Sequence, residues 1–267
     1  MRFALVDGQK TEPQPKLKGA CPSCKSTVLA RCGEVRVWHW AHKGILSCDP
    51  WWEKETEWHR GWKSHFPIEW QEVAHLDEIT KEKHIADVKT DAGLVVEFQH
   101  SSIKPEERRA REQFYKNIVW VVNGGRLKRD FSRFLEGKSD FHKIKDGLYL
   151  VHWRDEVFPK RWIDSSVPVI FDFRGAIVTD ENEKAHEYLW CLLPANNTSQ
   201  SAVIVFTPEQ FVTLVKGDLL VREINQAALD ATNYQIMLAR RREAEALAAI
   251  SNAFHRNAYR PRRYRRF

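Results

Sequence analysis

Hydrophobic and polar positions follow two periods along the chain. From Asp49, a good N-cap, and Pro50, suited to the first helical position, Trp51, Trp58, Trp62 and Phe66 share one arc at 100° per residue. That spacing predicts a helix from Asp49 to about His65, ending before Pro67. Glu55 and His59 fall inside its apolar arc, Lys63 at its edge and Glu57 opposite. Ile68 to Val73 alternates as a strand. His84–Thr90 and Leu94–His100 flank Asp91-Ala92-Gly93, the pattern of a hairpin with a three-residue loop and Gly at the left-handed position. Pro105 opens a charged helix to about Lys116. Asn117–Asn123 is nearly continuous in apolar residues, as in a sheet covered on both faces, and Gly124-Gly125 ends it.

This order predicts an α/β (α+β) core with helices packed on a mixed sheet. Four regions separate: a Cys/His-rich element at 1–48, the core at 49–152, a smaller mixed α/β extension at 153–222, and a long helix with an Arg-rich tail at 223–267. In the third region Thr207-Pro-Glu-Gln210 has the form of a helix start.

The hairpin's register brings two acids together. If Thr90 pairs with Leu94, Val88 faces Val96 and Asp87 faces Glu97. Ala86, Val88, Val96 and Phe98 then cover one face, while Asp87, Glu97 and Gln99 project from the other. Facing residues have Cβ atoms about 4.5–5.5 Å apart, where like charges repel. Mg²⁺ or Mn²⁺ relieves such a pair, since hard cations take carboxylate oxygens and water. Glu55 on the buried face of the preceding helix is costly unless paired or near a metal. Gln99, and His59 beside Glu55, are placed to position water.

With 267 residues and 43% hydrophobic content the chain can bury a core of one or two domains. It has no run of about 18 apolar residues, and its first residues lack the apolar core of a signal peptide. A cytoplasmic protein without membrane contact is expected. The net charge of +6 is a local property. Arg256, Arg260, Arg262, Arg263, Arg265 and Arg266 lie in the last twelve residues, which hold no acid. The rest of the chain has as many basic as acidic residues. With Tyr259, Tyr264 and Phe267 between them, these arginines suit phosphate contact and base stacking, so nucleic acid is the expected partner.

Five Cys in a chain of this kind do not suggest a disulfide framework. Cys191 stands in an apolar stretch as a small core residue. Cys21-x2-Cys24 resembles a zinc knuckle, with His39, His42 and Cys48 competing for two further ligand positions. Residues three apart on a regular strand face opposite sides. His39 and His42 therefore share a metal only if the strand ends near Trp40; otherwise one His joins Cys48. Four protein ligands point to structural Zn²⁺.

Taken together, Glu55-Thr-Glu-Trp-His59, Lys63, His84-Ile-Ala-Asp87 and Glu97-Phe-Gln-His-Ser-Ser-Ile103 resemble the competence-protein CoiA-like nucleases, a branch of the PD-(D/E)XK restriction-endonuclease-like superfamily. Arg111, Tyr115 and the strand through Trp120 fit the same pattern, as do Cys21-Pro-Ser-Cys24 and His39-Trp-Ala-His42. The resemblance covers roughly residues 18–125 and reaches weakly to Val169–Phe173. It implies a restriction-endonuclease-like fold, a metal-dependent phosphodiesterase acting on DNA, Asp87 and Glu97 as metal ligands, and Glu55 as the acid near the metal. Gln99 stands where the wider superfamily has Lys; Lys63 or Lys89 is then the compensating charge, with Lys63 also a candidate nucleic-acid contact. The alternative is a non-catalytic DNA-binding or recombination accessory protein on a degenerate nuclease fold. The long C-terminal helix is a candidate surface for a protein partner.

Overall fold

A computed structural model describes the chain except for residues 45–47, 52, 78–80, 179, 181–182, 195–199 and 259–267, and without the side chains of 254–258. The first element is a small sheet of β1 (Ala4–Val6), β2 (Gln9–Thr11), β3 (Lys18–Ala20), β4 (Thr27–Arg31) and β5 (His39–His42), in the order β2-β1-β3-β4-β5. Its core is Met1, Ala4, Cys21, Val28 and Trp40.

The larger unit continues with α1 (Glu57–Lys63), β6 (Gln71–Leu76), β7 (Lys83–Lys89), β8 (Val95–Gln99), α2 (Pro105–Tyr115), β9 (Ile118–Asn123), α3 (Lys128–Lys138), β10 (His142–Lys145) and β11 (Leu148–Val151). It is completed by α4 (Arg154–Val157), β12 (Val169–Asp172), β13 (Leu189–Leu192), β14 (Ser201–Phe206), α5 (Pro208–Lys216) and α6 (Leu220–Ala258). Nine strands form one mixed sheet in the order β10-β11-β14-β13-β12-β9-β8-β7-β6. β9 runs parallel to both β8 and β12, and the other pairs are antiparallel. Residues 153–222, expected as an extension, supply three strands to the middle of this sheet.

Helices cover both faces. Trp62, Phe66, Phe211, Val215, Leu220 and Ile224 pack with Val88, Val96 and Phe98 on one side. Phe114, Tyr115, Phe131, Phe134 and Val157 pack with Val95, Trp120 and Val122 on the other. β9 is buried from Ile118 to Val122, as its apolar run requires. α5 starts with Thr207 and Gln210 in a capping box, and Cys191 is a buried core residue. α6 packs through Ala227 and Ala231 and is exposed from Ala239 to Ala253. Among the described residues no helix is long and apolar enough to cross a membrane.

The hairpin register is as expected: Val88 pairs with Val96, and Gly93 takes φ +86° in the loop. Two local expectations are corrected. The helix predicted from Asp49 begins at Glu57, with Thr56 as N-cap and His59 closing a capping box. The Asp49 carboxylate is instead held by β7, accepting from the Ile85 amide at 2.8 Å and pairing with His84 Nδ1 at 2.9 Å. Trp51 therefore lies off the helix, stacked on His84 at 3.3 Å. Glu55 likewise precedes the helix.

The second correction concerns faces. Ala86 belongs to the opposite core from Val88. The β6–β7 ladder passes from Gln71↔Val88 to Val73↔Ala86, and Glu72 between them has φ +47°. The alternation breaks at Glu72 and Asp87. Left-handed backbone at a non-glycine residue costs about 1–3 kcal/mol and persists where the surroundings enforce it. Here the amides of Arg2 and Phe3 and the Lys63 ammonium all hold the Glu72 carboxylate.

Candidate metal centre and carboxylate cleft

In the N-terminal element the ligand question is settled by strand geometry. β5 is extended through both histidines, so they face opposite ways. His39 turns its Nδ1 to the Val37 carbonyl at 2.9 Å. His42 Nε2 lies 3.3 Å from Cys24 Sγ, and Cys21 Sγ lies 3.6 Å from Cys48 Sγ. The ligand atoms of Cys21, Cys24, His42 and Cys48 all fall within 4.8 Å of one another. His39, a sequence candidate, is excluded from the group. Burial opposes ionisation of Cys24, yet hydrogen bonds from Ser26, His42 and Cys48 push its thiol down to about 6. Burial and the neighbouring Cys24 and Cys21 push Cys48 up to about 12. Three thiols competing for one site, with an imidazole, suit a cation of Zn²⁺ type. A Cys3His cluster of this kind can hold zinc. His42→Ala is expected to lose metal from purified protein while His39→Ala retains it, checked by elemental analysis.

The acidic residues meet at the break in the large sheet. A cleft there is lined by Asp49, Trp51, Glu53, Glu55, His59, Lys63, Glu72, Asp87, Glu97 and Arg111. Glu97 Oε1 accepts from the Asp87 amide at 3.2 Å, and Asp87 Oδ2 accepts from the Phe98 amide at 3.0 Å. Side chains thus take amides that a regular ladder would pair. Arg111 donates to Glu97 Oε2 at 3.1 Å. Burial, then the Asp87 charge, outweigh Arg111 and push the Glu97 carboxyl up to about 8.

Lys63 is the cationic centre of the cleft. Its Nζ lies 2.9 Å from Glu72 Oε1, 3.0 Å from Glu55 Oε1 and 3.7 Å from Asp87 Oδ1. Burial opposes its charge, but these carboxylates prevail and raise its pKa. Only 2% exposed, Lys63 is no surface contact for a nucleic-acid backbone, as the sequence suggested; it belongs to the cleft. Glu55 Oε1 is buried and makes no hydrogen bond. α1 is held over the sheet by Asp172, fully buried, which accepts from the indole N–H groups of Trp58 and Trp62.

Gln99 is buried and turned to Glu53, donating to its Oε2 at 2.8 Å. His59 Nε2 lies 3.6 Å from the same oxygen. Its Nδ1 takes the Thr56 amide at 3.3 Å, which leaves Nε2 turned toward Glu53. Burial opposes ionisation of Glu53, but His59 and Ser101 lower its pKa. Sequence reasoning passed over Glu53 and Glu72. Their only signal was acidity near a buried helix face and in an alternating strand. Of the tail, Arg260, Arg262, Arg263, Arg265 and Arg266 lie outside the described residues, as does the Arg256 side chain.

The chain is a mixed α/β protein that joins a Cys3His cluster to a carboxylate cleft at the edge of a large sheet. Residues 10–50, which span the cluster, match the family model described as Competence protein CoiA, N-terminal domain. The chain is also similar to Competence protein CoiA of Bacillus subtilis (strain 168), with 26% identity over 153 residues, 52% of this chain and 40% of that one. Both likenesses point to CoiA, the first in the N-terminal element and the second over about half of the chain. It spans about two fifths of the length of the curated relative it matches. No solved structure matches it.

Proposed function

We propose that the chain is a metal-dependent nuclease on a restriction-endonuclease-like core, hydrolysing phosphodiester bonds of DNA at the carboxylate cleft. The carrying observation is the meeting of Asp87 and Glu97 at a broken strand alternation, with Lys63 and Arg111 beside them. The donor set fits Mg²⁺ or Mn²⁺: two facing carboxylates, one driven up by burial and then by the other's charge, with the buried Glu55 carboxylate, ion-paired to Lys63, beside them. When bound, such a cation neutralises charge on phosphate oxygens and lowers the pKa of a water.

The chain's own groups supply the rest. Lys63 brings the positive charge that Gln99 lacks. Arg111 anchors Glu97 from α2. Gln99, the Ser101 amide and His59 hold Glu53 as an ionised acceptor for a water proton. Zn²⁺ in the Cys3His cluster has a structural role. The relative's printed name concerns competence, which fits DNA as the substrate, and the arginine-rich end adds phosphate contacts.

Plasmid and single-stranded DNA incubated with Mg²⁺ or Mn²⁺ should be cut, EDTA should stop cutting, and Asp87→Ala should reduce it to background with DNA binding retained. DNA bound but uncut with either cation would establish the accessory reading, which the amide at position 99 favours.

A further inference from the structure

We infer that Asp49 is a positioning residue through which the Cys3His element holds the cleft in shape. The inference rests on the cluster as a metal site and not on the nuclease reading. Asp49 directly follows the ligand Cys48, so their Cα atoms are about 3.8 Å apart. Fixing Cys48 in a metal site fixes the start of the segment that carries Asp49, Trp51, Glu53 and Glu55 into the cleft.

Two routes lead from Asp49 to the paired carboxylates. The first is direct. Buried Asp49 takes the Ile85 amide on Oδ2 at 2.8 Å and His84 Nδ1 on Oδ1 at 2.9 Å. Those residues lie on β7, two and three positions before Asp87. The second route crosses to α2. Asp49 Oδ1 accepts from the Trp51 amide at 2.9 Å, and the Trp51 carbonyl accepts from Arg111, which also holds Glu97. Each acid of the pair is thereby tied to one carboxylate next to a cluster ligand. A third tie reinforces the contact, since Lys83 at the start of β7 donates to the Ser23 carbonyl, within the Cys21–Cys24 turn.

These ties matter because the ladder cannot do their work. The β7–β8 pairing runs no further than Val88↔Val96. Beyond it, the amides of Asp87 and Phe98 depend on carboxylates for partners. Outer partners of this sort change metal affinity by about 10–100-fold when removed.

The test is hydrogen–deuterium exchange on the full chain: zinc-loaded, stripped by chelator, and as the Asp49→Asn and Cys48→Ser variants. Asn is nearly isosteric and can accept on one oxygen only. Asp49→Asn should keep its zinc by elemental analysis. Peptides covering 83–89 and 95–100 should exchange at least about tenfold faster in the stripped protein and in both variants, because local opening sets their protection. Peptides covering 118–123 should not change. Mn²⁺ affinity, followed by the signal of free Mn²⁺, should fall about tenfold in Asp49→Asn. Unchanged exchange over 83–100 without zinc and in Asp49→Asn would overturn the inference. So would faster exchange spread equally to 118–123, which marks general loosening. If wild-type protein binds no Mn²⁺, the nuclease reading fails and the exchange result still decides the role of Asp49.

Discussion

Glu97→Gln is expected to abolish cleavage and, in metal-free protein at pH 8, to raise the melting temperature. Glu97 is 4% exposed, and burial with the facing Asp87 charge puts its carboxyl at about 8. Unfolded, a glutamate titrates near 4.3. A folded value above the unfolded one means the contribution is fully present below about pH 4 and is lost as pH rises to 8. Above pH 8 the folded state bears a penalty on the order of a few kcal/mol. Gln keeps an acceptor for the Asp87 amide and carries no charge. It also leaves Arg111 with Glu107 and the Trp51 carbonyl as remaining partners. The gain should therefore appear at pH 8 and vanish, or reverse slightly, at pH 4–5. A protein of this size gains about 2–4 °C per kcal/mol, which thermal unfolding in EDTA resolves. Adding Mn²⁺ at pH 8 should stabilise wild type and leave the variant unmoved. A difference between the two that is constant from pH 5 to 8 would remove charge repulsion as the organising force of the site.

The pair Asp87–Glu97 was legible because hairpin register is a local property: a three-residue loop with Gly93 leaves one alternating pairing. Strand period made the exclusion of one histidine from the Cys/His group conditional on the strand running past Trp40, and the extent of β5 to His42 met that condition. The start of α1 was not legible, since Asp49-Pro50 has the local chemistry of a cap. Its carboxylate serves β7 thirty-five residues away, and no local pattern carries that information. The true start uses His at the position where a capping box has Glu or Gln. The roles of Glu53 and Glu72 depend on the break in alternation, which also moved Ala86 to the other core. Periodicity arguments assume an unbroken strand, so they fail where the chain is bent to build a site.

The second large effect is Lys63→Met, which should cost about 3–5 kcal/mol at pH 7, the range for stripping a partner from buried ions. The methionine retains much of the apolar stem, so the loss reads the charge. Glu72 and Asp87 would lose the ammonium between them, Glu55 would keep only the Arg60 guanidinium at 3.8 Å, and Glu72 would hold its left-handed backbone with the N-terminal charge and the amides of Arg2 and Phe3. In wild type, burial opposes ionisation of Glu72, but Lys63, the N-terminal ammonium and the amides of Arg2 and Phe3 hold its pKa well below the ordinary carboxylate range. That stability is present above the unfolded value and lost as pH falls through the folded one. In Lys63→Met the folded value rises instead, so the deficit should shrink as pH drops from 7 toward 4. Glu72→Gln in the same chain should recover part of it, with the double variant better than the summed singles by about 1–3 kcal/mol. Denaturant melts of the four proteins at pH 4.5 and 7 measure this. Additive losses, equal at both pH values, would show that Lys63 acts only through its stem. Coupled, pH-dependent losses would show that one ammonium neutralises the acids around the break, which permits Asp87 and Glu97 to face each other in the first place.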